Sequence, residues 1–394
     1  MKSIKLLIPV IFLLVLWNCS KTDIGPTEQC SPITPDSSAI HPKASAYQSL
    51  LDEYTDRGLP GAVLLIHDQD GLWMGAAGMA DISENIPMSP CIVSKIASVT
   101  KMYIGVLIMQ LVEQGKIDLD AKLPEYLPEN IIRKVNNAGE STVRQLMNHT
   151  SGIYDIVEDQ GFYLAVLNDP AHNWEPEDLI EFAYRKDAYF APGTDCYYSN
   201  TNFLLLSIIL DEVLGRPHCE MMRENILQPL GVDHTYYFWH DPIPDYTAQG
   251  YFDLYNNGTI CNVTNYNTGS GNGYGGMYSN VYDMMVFIEA LLVEKTLVSQ
   301  GSLDEMLTFD QPLEPETYRY TGLAIYKDFI DREDSTEYSY GHRGRDLGYS
   351  ADLDWFPKNN TTMALIVNYG TDGESSLRPV FKEFRNAIVD EIFK

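Results

Sequence analysis

The chain has 394 residues, of which 45% are hydrophobic and 11% are aromatic. This is enough apolar material for one large domain or two of medium size. Its 55 acidic and 27 basic residues give a formal net charge of -28 at pH 7. A surface this acidic repels nucleic acid, so no nucleic-acid partner is expected.

The N-terminus is typical of an export signal. Two lysines precede an apolar run at 6–16 that is too short to span a membrane comfortably. Because Cys19 follows this run closely, we expect residues 1–18 to be a lipoprotein signal peptide and Cys19 to carry a lipid anchor. The alternative is an ordinary secretory signal, since the two residues before the cysteine are larger than usual. Both predict an exported protein, periplasmic or at the cell surface.

The remaining chain divides by composition. Residues 19–43 are rich in Pro, Ser, Thr and Asp and predict a flexible tether, whereas 44–394 predict the folded domain. In chain order, the sequence first predicts a helix in 44–58, two strands in 61–81 and a buried helix from Ser98 to Gly115. Helices and polar loops follow over 121–270, including a helix that Gly215 ends. The last expected elements are a helix in 278–292, strands in 348–356 and 361–369, and a closing helix that faces the core with Leu377, Phe381, Phe384, Ile388 and Ile392.

Strands at both ends with helices between them predict an α/β (α+β) fold. The sheet would be assembled from both termini, in a lobe formed by 44–120 and 275–394. The segment 121–274 would then form a mostly helical second lobe, and the cleft between the two lobes is the natural place for a binding site.

The start of the buried helix carries the clearest chemical signal. Ser98 and Lys101 lie three residues apart, so a helix places their side chains on one face. Free N–H groups and the helix dipole favour an anionic intermediate there, and the lysine can carry a proton for the serine. A Ser-x-x-Lys pair alone is a weak motif; a capping serine with a solvated lysine is the alternative.

Two further motifs favour the catalytic interpretation of Ser98 and Lys101. Tyr198-Ser199-Asn200 comes just before an apolar helix, and His342-Arg343-Gly344 lies near a strand. With "PGAVLLIHDQDGLWMGAAGMAD", "VRQLMNHTSGI" and "GYGGMYSNVYDMMVF", in this order, the sequence resembles the serine beta-lactamase-related superfamily: class C beta-lactamases, serine DD-peptidases, D-amino-acid-specific peptidases and beta-lactamase-like esterases. The resemblance covers about 45–390. It implies a beta-lactamase/transpeptidase-like fold, with an antiparallel sheet flanked by helices.

The resemblance also implies roles for particular residues. Ser98 would be the acylated nucleophile, and Lys101 and Tyr198 would share its proton. Asn200 would orient the lysine and hold the substrate amide, and His342 would stand where many relatives have lysine. The backbone N–H groups of Ser98 and Arg345 would form the oxyanion hole. Tyr255 and Tyr278 also begin Tyr-x-Asn triplets, but only Tyr198 has the context that the family pattern requires.

Arg343 departs from the family, which usually has a small or hydroxyl residue there. With Gly344 it is a candidate substrate-binding position, because a guanidinium can bind a carboxylate in bidentate fashion. The alternative is that Arg343 and Arg345 are solvated and pair with Asp346, Asp352 or Asp354. His149, in "LMNHTSG", is expected to be structural.

The six cysteines contain no Cys-x-x-Cys pair, so no cysteine zinc site is expected, and the sequence assigns no disulfide. The resemblance implies an exported serine hydrolase without metal or cofactor, which acts on an amide, lactam or ester through an acyl-enzyme. Its partner would be a small-molecule or peptide substrate, and a D-alanyl peptidase related to penicillin-binding proteins or a beta-lactamase-like hydrolase is favoured. The alternatives are a carboxylesterase and an inactive relative that binds peptidoglycan or a peptide.

Overall fold

The computed structural model describes residues 23–32, 40–313, 319–373 and 375–394. The predicted signal peptide and Cys19 lie outside these residues. The α-helices are α1 (Ala44–Asp56), α2 (Thr100–Glu113), α3 (Glu129–Lys134), α4 (Val143–Met147), α5 (Gln160–Asn168), α6 (Pro176–Ile180), α7 (Asn200–Leu214), α8 (His218–Met222), α9 (Gln228–Leu230), α10 (Val281–Leu292), α11 (Gln300–Met306) and α12 (Arg378–Phe393). None of the described helices is long and apolar enough to cross a bilayer.

Eight strands form one antiparallel sheet, in the order β3-β2-β1-β13-β12-β11-β10-β9. A smaller sheet has the order β4-β8-β5, and β6 pairs with β7. The strands are β1 (Gly61–Asp68), β2 (Gly71–Asp81), β3 (Ile86–Pro87), β4 (Ser94–Ala97), β5 (Tyr236–Tyr237), β6 (Tyr251–Phe252), β7 (Cys261–Asn262), β8 (Met277–Ser279), β9 (Tyr320–Thr321), β10 (Tyr326–Asp328), β11 (Ser339–Asp346), β12 (Tyr349–Phe356) and β13 (Thr361–Val367).

The large sheet joins the two ends of the domain, because β1 pairs directly with β13. Successive side chains of a strand point to opposite faces. Leu64 and Leu365 face the helices α1 and α12, whereas Leu65 and Ile366 face the larger core, which contains α2 and α10. Both faces are therefore covered, which explains the continuous apolar runs of these strands. The predicted fold class is confirmed.

Helix α2 is the centre of the larger core, and eleven of its fourteen residues are buried. It begins at Thr100, two residues later than the sequence predicts, so Ser98 lies in the turn that leads into it. The helix α7 ends as predicted at Gly215, whose φ of 65° is left-handed and favours glycine. These two helices pack against each other and bring the first turns of both to one place.

The residues 23–32 lie against the domain, although the sequence predicts a flexible tether there. Ile24 is buried in a small apolar cluster, and Thr27 Oγ1 donates to a backbone carbonyl at 2.6 Å. A disulfide joins Cys30 to Cys91, across 61 positions of sequence. Composition alone cannot reveal this attachment, because it depends on a distant cysteine and on contacts from other loops.

The disulfide predicts a measurable share of stability. Replacing Cys30 and Cys91 together by alanine should lower the free energy of unfolding by about 2–4 kcal/mol, because the unfolded chain gains conformational freedom. Urea denaturation monitored by circular dichroism measures this difference. Cys219, a half-buried free cysteine, provides the matched control: its alanine variant should change stability much less. Equal denaturation midpoints for the double variant and the wild type would show that the bridge contributes nothing.

Candidate active site

Ser98 lies at a sharp turn between β4 and α2. The preceding Ala97 has a φ of 48°, a left-handed conformation that is costly for a residue other than glycine. Thr100 holds the turn, because its Oγ1 donates to the Ala97 carbonyl at 2.6 Å and accepts from the N–H of Met277 at 3.1 Å. The turn presents the half-buried Ser98 to a cleft of about 980 Å³.

Lys101 is fully buried beneath this serine and has three acceptors. Its Nζ lies 2.9 Å from Ser98 Oγ, 2.8 Å from Asn200 Oδ1 and 2.6 Å from the carbonyl oxygen of Tyr274. Burial lowers the pKa of Lys101 to about 7, against the raising effect of nearby carboxylates. A substantial fraction of this lysine is therefore neutral at pH 7 and can accept a proton from the serine.

Tyr198 approaches Ser98 from the other side, and its hydroxyl donates to Ser98 Oγ at 2.9 Å. Burial raises the pKa of the phenol well above its ordinary value, so it remains protonated. Of the other tyrosines that begin Tyr-x-Asn triplets, Tyr255 is 72% exposed and Tyr278 is buried in β8. Within this arrangement Lys101 is the better proton acceptor, and Tyr198 is suited to donate.

His149 supports Tyr198 without contacting the serine. The two rings lie 4.4 Å apart, centroid to centroid. His149 Nδ1 lies 3.2 Å from both the backbone nitrogen of Ser199 and the side-chain nitrogen of Asn202, and its burial lowers its pKa well below the ordinary value. A neutral ring that accepts from the residue after Tyr198 fixes the tyrosine, in agreement with the structural role expected.

Two contacts of this site were not predicted. The Tyr274 carbonyl accepts from Lys101, and the buried carboxylate of Asp155 accepts from Asn200 Nδ2 at 2.9 Å. A backbone acceptor has no sequence signature. Asp155 follows the "HTSGI" segment closely, and an aspartate next to this motif was the one available signal.

His342 lies beside the site but hydrogen-bonds to none of its reacting groups. Its Nδ1 donates to the carbonyl of Arg343 at 2.7 Å, and its ring stacks on Tyr326 at 4.1 Å. Burial, together with the charge of Lys101, lowers its pKa well below the ordinary value, so the ring is neutral. Its Nε2 is buried and has no hydrogen-bond partner among the residues described. The ring centroid is 6.5 Å from that of Tyr198.

Gly344 allows β11 to approach the serine turn. A Cβ at this position would lie 2.0 Å from the carbonyl oxygen of Ile96 and 3.2 Å from the Cβ of Ala97. Only glycine tolerates this approach, which brings the backbone at Gly344 against Ile96 and Ala97, the two residues before Ser98. The oxyanion hole formed by the N–H groups of Ser98 and Arg345 remains a prediction.

The arginine side chains of this strand bind buried aspartates. Arg343 Nη2 lies 2.8 and 2.7 Å from the two carboxylate oxygens of Asp328, and Arg345 Nη2 lies 2.8 Å from Asp352 Oδ1. Arg385 bridges both aspartates, at 3.0 and 2.9 Å. Although burial opposes ionisation, Arg343 and Arg385 hold the pKa of Asp328 below its usual range. The pairing with Asp352 was among the alternatives considered, but the arginines are mostly buried and not solvated.

The cleft is lined by three kinds of side chain: apolar, cationic and carboxylate. The apolar side chains are Phe162, Tyr163, Leu167, Phe252 and Leu254; the cationic ones are Arg319, Arg343, Arg345, Arg378, Lys382 and Arg385; the carboxylates are Asp155, Glu158, Asp328, Asp331, Asp346 and Asp372. No three His, Cys, Asp or Glu side chains are grouped to hold a metal ion in the part of the chain that the structure describes.

The chain is similar to several known proteins. The chain is 27% identical over 266 residues to the D-alanyl-D-alanine-carboxypeptidase/endopeptidase AmpH of Escherichia coli strain K12, with 66% of each chain covered. The D-amino acid amidase of Ochrobactrum anthropi SV3 has a similar structure, with a TM-score of 0.77 and 25% identity over 88% of this chain and 98% of that one. A D-stereospecific amidohydrolase from Streptomyces sp. has a TM-score of 0.73 and 29% identity, over 83% and 94% of the two chains.

The family assignment rests on a broader match than any single relative. A sequence model of the Beta-lactamase family matches residues 47–380, which is most of the chain. The resemblance inferred from the order of the motifs is thereby confirmed, and the two solved structures named above have the same fold. The chain belongs to the Beta-lactamase family.

Proposed function

We propose that the protein is a serine amidohydrolase that forms an acyl-enzyme on Ser98 and cleaves an amide bond next to a D-amino acid. The contact between Nζ of the fully buried Lys101 and Oγ of the half-buried Ser98, at 2.9 Å, carries the proposal. The relatives support the substrate class, since their names specify D-alanyl-D-alanine, D-amino acid amides and D-stereospecific amides. A beta-lactam is the strained amide that the same chemistry would open.

In the proposed reaction Ser98 Oγ attacks the carbonyl carbon, and its proton passes to neutral Lys101 Nζ. The backbone N–H groups of Ser98 and Arg345 stabilise the oxyanion. Tyr198 gives its proton to the leaving amine and regains one from Lys101, and the C–N bond breaks. Water then attacks the serine ester with the same groups in reversed roles, which releases the acid and restores Ser98.

We also propose that the mature protein is exported and anchored by a lipid on Cys19. The basic start, the short apolar run and the cysteine that follows them support this proposal. The disulfide between Cys30 and Cys91 fits an oxidising compartment outside the cytoplasm. Intact mass of the protein extracted from the membrane fraction tests it, because a diacylglyceryl group on Cys19 adds a defined mass that Cys19→Ala abolishes.

Covalent labelling tests the nucleophile. A fluorescent penicillin and a short-chain aryl ester should each form an adduct on Ser98 of the wild type, located by peptide mass spectrometry. Ser98→Ala should remove the adduct and keep the fold, because the exchange deletes one half-buried hydroxyl. An adduct that persists in this variant and maps to another serine contradicts the assignment. Labelling by the ester alone would indicate an esterase.

Tyr198→Phe should slow acylation by about a hundredfold to ten-thousandfold, the range typical of a lost general acid or base. Tyr278→Phe is the matched control, because it deletes the same hydroxyl from a buried tyrosine in β8 that does not contact Ser98. Stopped-flow measurement of the acylation rate distinguishes the two. Equal losses in both variants would show that the effect is one of packing.

Arg343 in β11 is not expected to bind a substrate carboxylate, because Asp328 already binds its guanidinium. Loss of a buried carboxylate anchor costs about 2–5 kcal/mol, or roughly 30-fold and more in preference. Arg343→Ala should instead keep the preference for a free-acid over an amidated peptide within about fivefold, the effect of a screened charge. Lys382→Ala is measured beside Arg343→Ala for comparison. Lys382 is an exposed residue of the cleft and has no ion pair among the described residues. Values of kcat/KM for the free-acid and the amidated peptide measure this preference in the wild type and in both variants.

A further inference from the structure

Asp155 is a buried carboxylate that the reaction described above does not use. It is 3% exposed, and each of its oxygens has a separate donor. Oδ1 accepts from the N–H of Val157 at 3.2 Å, and Oδ2 accepts from Asn200 Nδ2 at 2.9 Å. The other end of the same amide, Asn200 Oδ1, accepts from Lys101 Nζ at 2.8 Å. An unbroken chain of contacts therefore connects Asp155 to Lys101 and, through it, to Ser98.

The donor and acceptor properties of these groups determine how Asn200 is turned. An ionised carboxylate only accepts hydrogen bonds, and an ammonium group only donates them. When Asp155 is ionised and Lys101 is protonated, Asn200 therefore turns its NH₂ towards Asp155 and its oxygen towards Lys101. If the amide were reversed, NH₂ would face the ammonium group and the oxygen would face the carboxylate, and both contacts would be repulsive.

We propose that Asp155 is a positioning residue for acylation: its carboxylate holds the amide of Asn200 so that Oδ1 faces Lys101 Nζ, and its negative charge acts on the lysine across that amide. This inference rests on the proposed function of Ser98 and Lys101. A purely local role, capping the turn at 156–158 through Val157, would need only one of the two oxygens.

Of the carboxylates around Lys101, Asp155 has the strongest effect on the charge of the lysine. Asp346 also faces the lysine, but Lys95 binds it at 3.1 Å. His149 and His342, which face Lys101 from other elements, are kept neutral by burial. Burial raises the pKa of Asp155 to about 7, although its hydrogen bonds and the charge of Lys101 oppose the rise. Burial thus opposes the charge of both groups, and the charge of each favours the charge of the other.

Exchanging the two side chains tests the proposal. In Asp155→Asn the new amide has one acceptor oxygen for two donors, so an NH₂ group must face either Val157 N–H or the NH₂ of Asn200. Asn200→Asp places two carboxylates side by side, and one of them must hold a proton. The double variant, Asp155→Asn with Asn200→Asp, again pairs each donor with an acceptor. Its amide at position 155 accepts from Val157 and donates to the carboxylate at position 200, whose other oxygen accepts from Lys101.

Acylation by a fluorescent penicillin or an aryl ester gives the first readout. Each single variant should label Ser98 about a hundredfold more slowly than the wild type, the lower range for disturbed general-base catalysis. The double variant should recover at least about tenfold of this loss, since contacts that act as one unit are not additive. Circular dichroism and thermal unfolding show whether each variant is folded. If Asp155→Asn is unfolded, Asn200→Asp takes its place in the comparison.

The titration of Lys101 gives a second readout that needs no substrate. In protein with ¹³C-labelled lysine, Lys101 is assigned by the signal missing in Lys101→Ala, and its midpoint should lie near pH 7. The midpoint should fall in Asp155→Asn, because a negative charge is removed, and rise in the double variant, because the carboxylate then touches the ammonium group.

The outcomes separate this inference from the proposed reaction. Wild-type labelling rates in Asp155→Asn, or a double variant that is no faster than the single ones and leaves the lysine midpoint unchanged, overturn the positioning role. If the wild type is not labelled on Ser98 but the lysine midpoint moves as expected, the coupling of Asp155 to Lys101 is supported and it is the proposed reaction that fails.

Discussion

The structure depends on a lysine side chain that is fully buried in the interior. Lys101 is expensive to bury unless its three hydrogens find acceptors, and three elements supply them: the serine turn, the start of α7 and the loop of Tyr274. The apolar surface of α2 holds the lysine at this depth. Removal of any one acceptor would leave a buried donor unsatisfied, so the site and the core around it are constrained together.

Much of the architecture could be predicted from the sequence because the determining patterns are local. The strands of residues 61–81 and 348–369, the buried α2 and the glycine that ends α7 all follow from hydrophobic periodicity and turn residues. The site could be anticipated at Ser98, Lys101, Tyr198 and Asn200, because the motifs occur in a characteristic order. The structure brings these four side chains into contact and leaves their roles to the experiments described.

The rest depended on contacts between distant parts of the chain. The acceptor at Tyr274 is a backbone carbonyl, and Asp155 gains significance only from the orientation of Asn200. The arginines of β11 look solvated in the sequence, yet Asp328 comes from β10 and Arg385 from α12, and no local pattern reveals that these elements meet. The partner of Cys30 was equally hidden, because any of five other cysteines could have formed the bridge.

The attachment of residues 23–32 changes the geometry of a lipid anchor. A flexible tether over 19–43, if fully extended, could hold the domain about 80 Å from the bilayer, at about 3.3–3.6 Å for each residue. If Cys19 carries the lipid, four Cα–Cα steps of ~3.8 Å, at most about 15 Å, separate it from Asp23, where the attached segment begins. The folded domain would then lie close to the membrane surface. Its reach would be confined to the layer of the cell envelope next to the lipid headgroups.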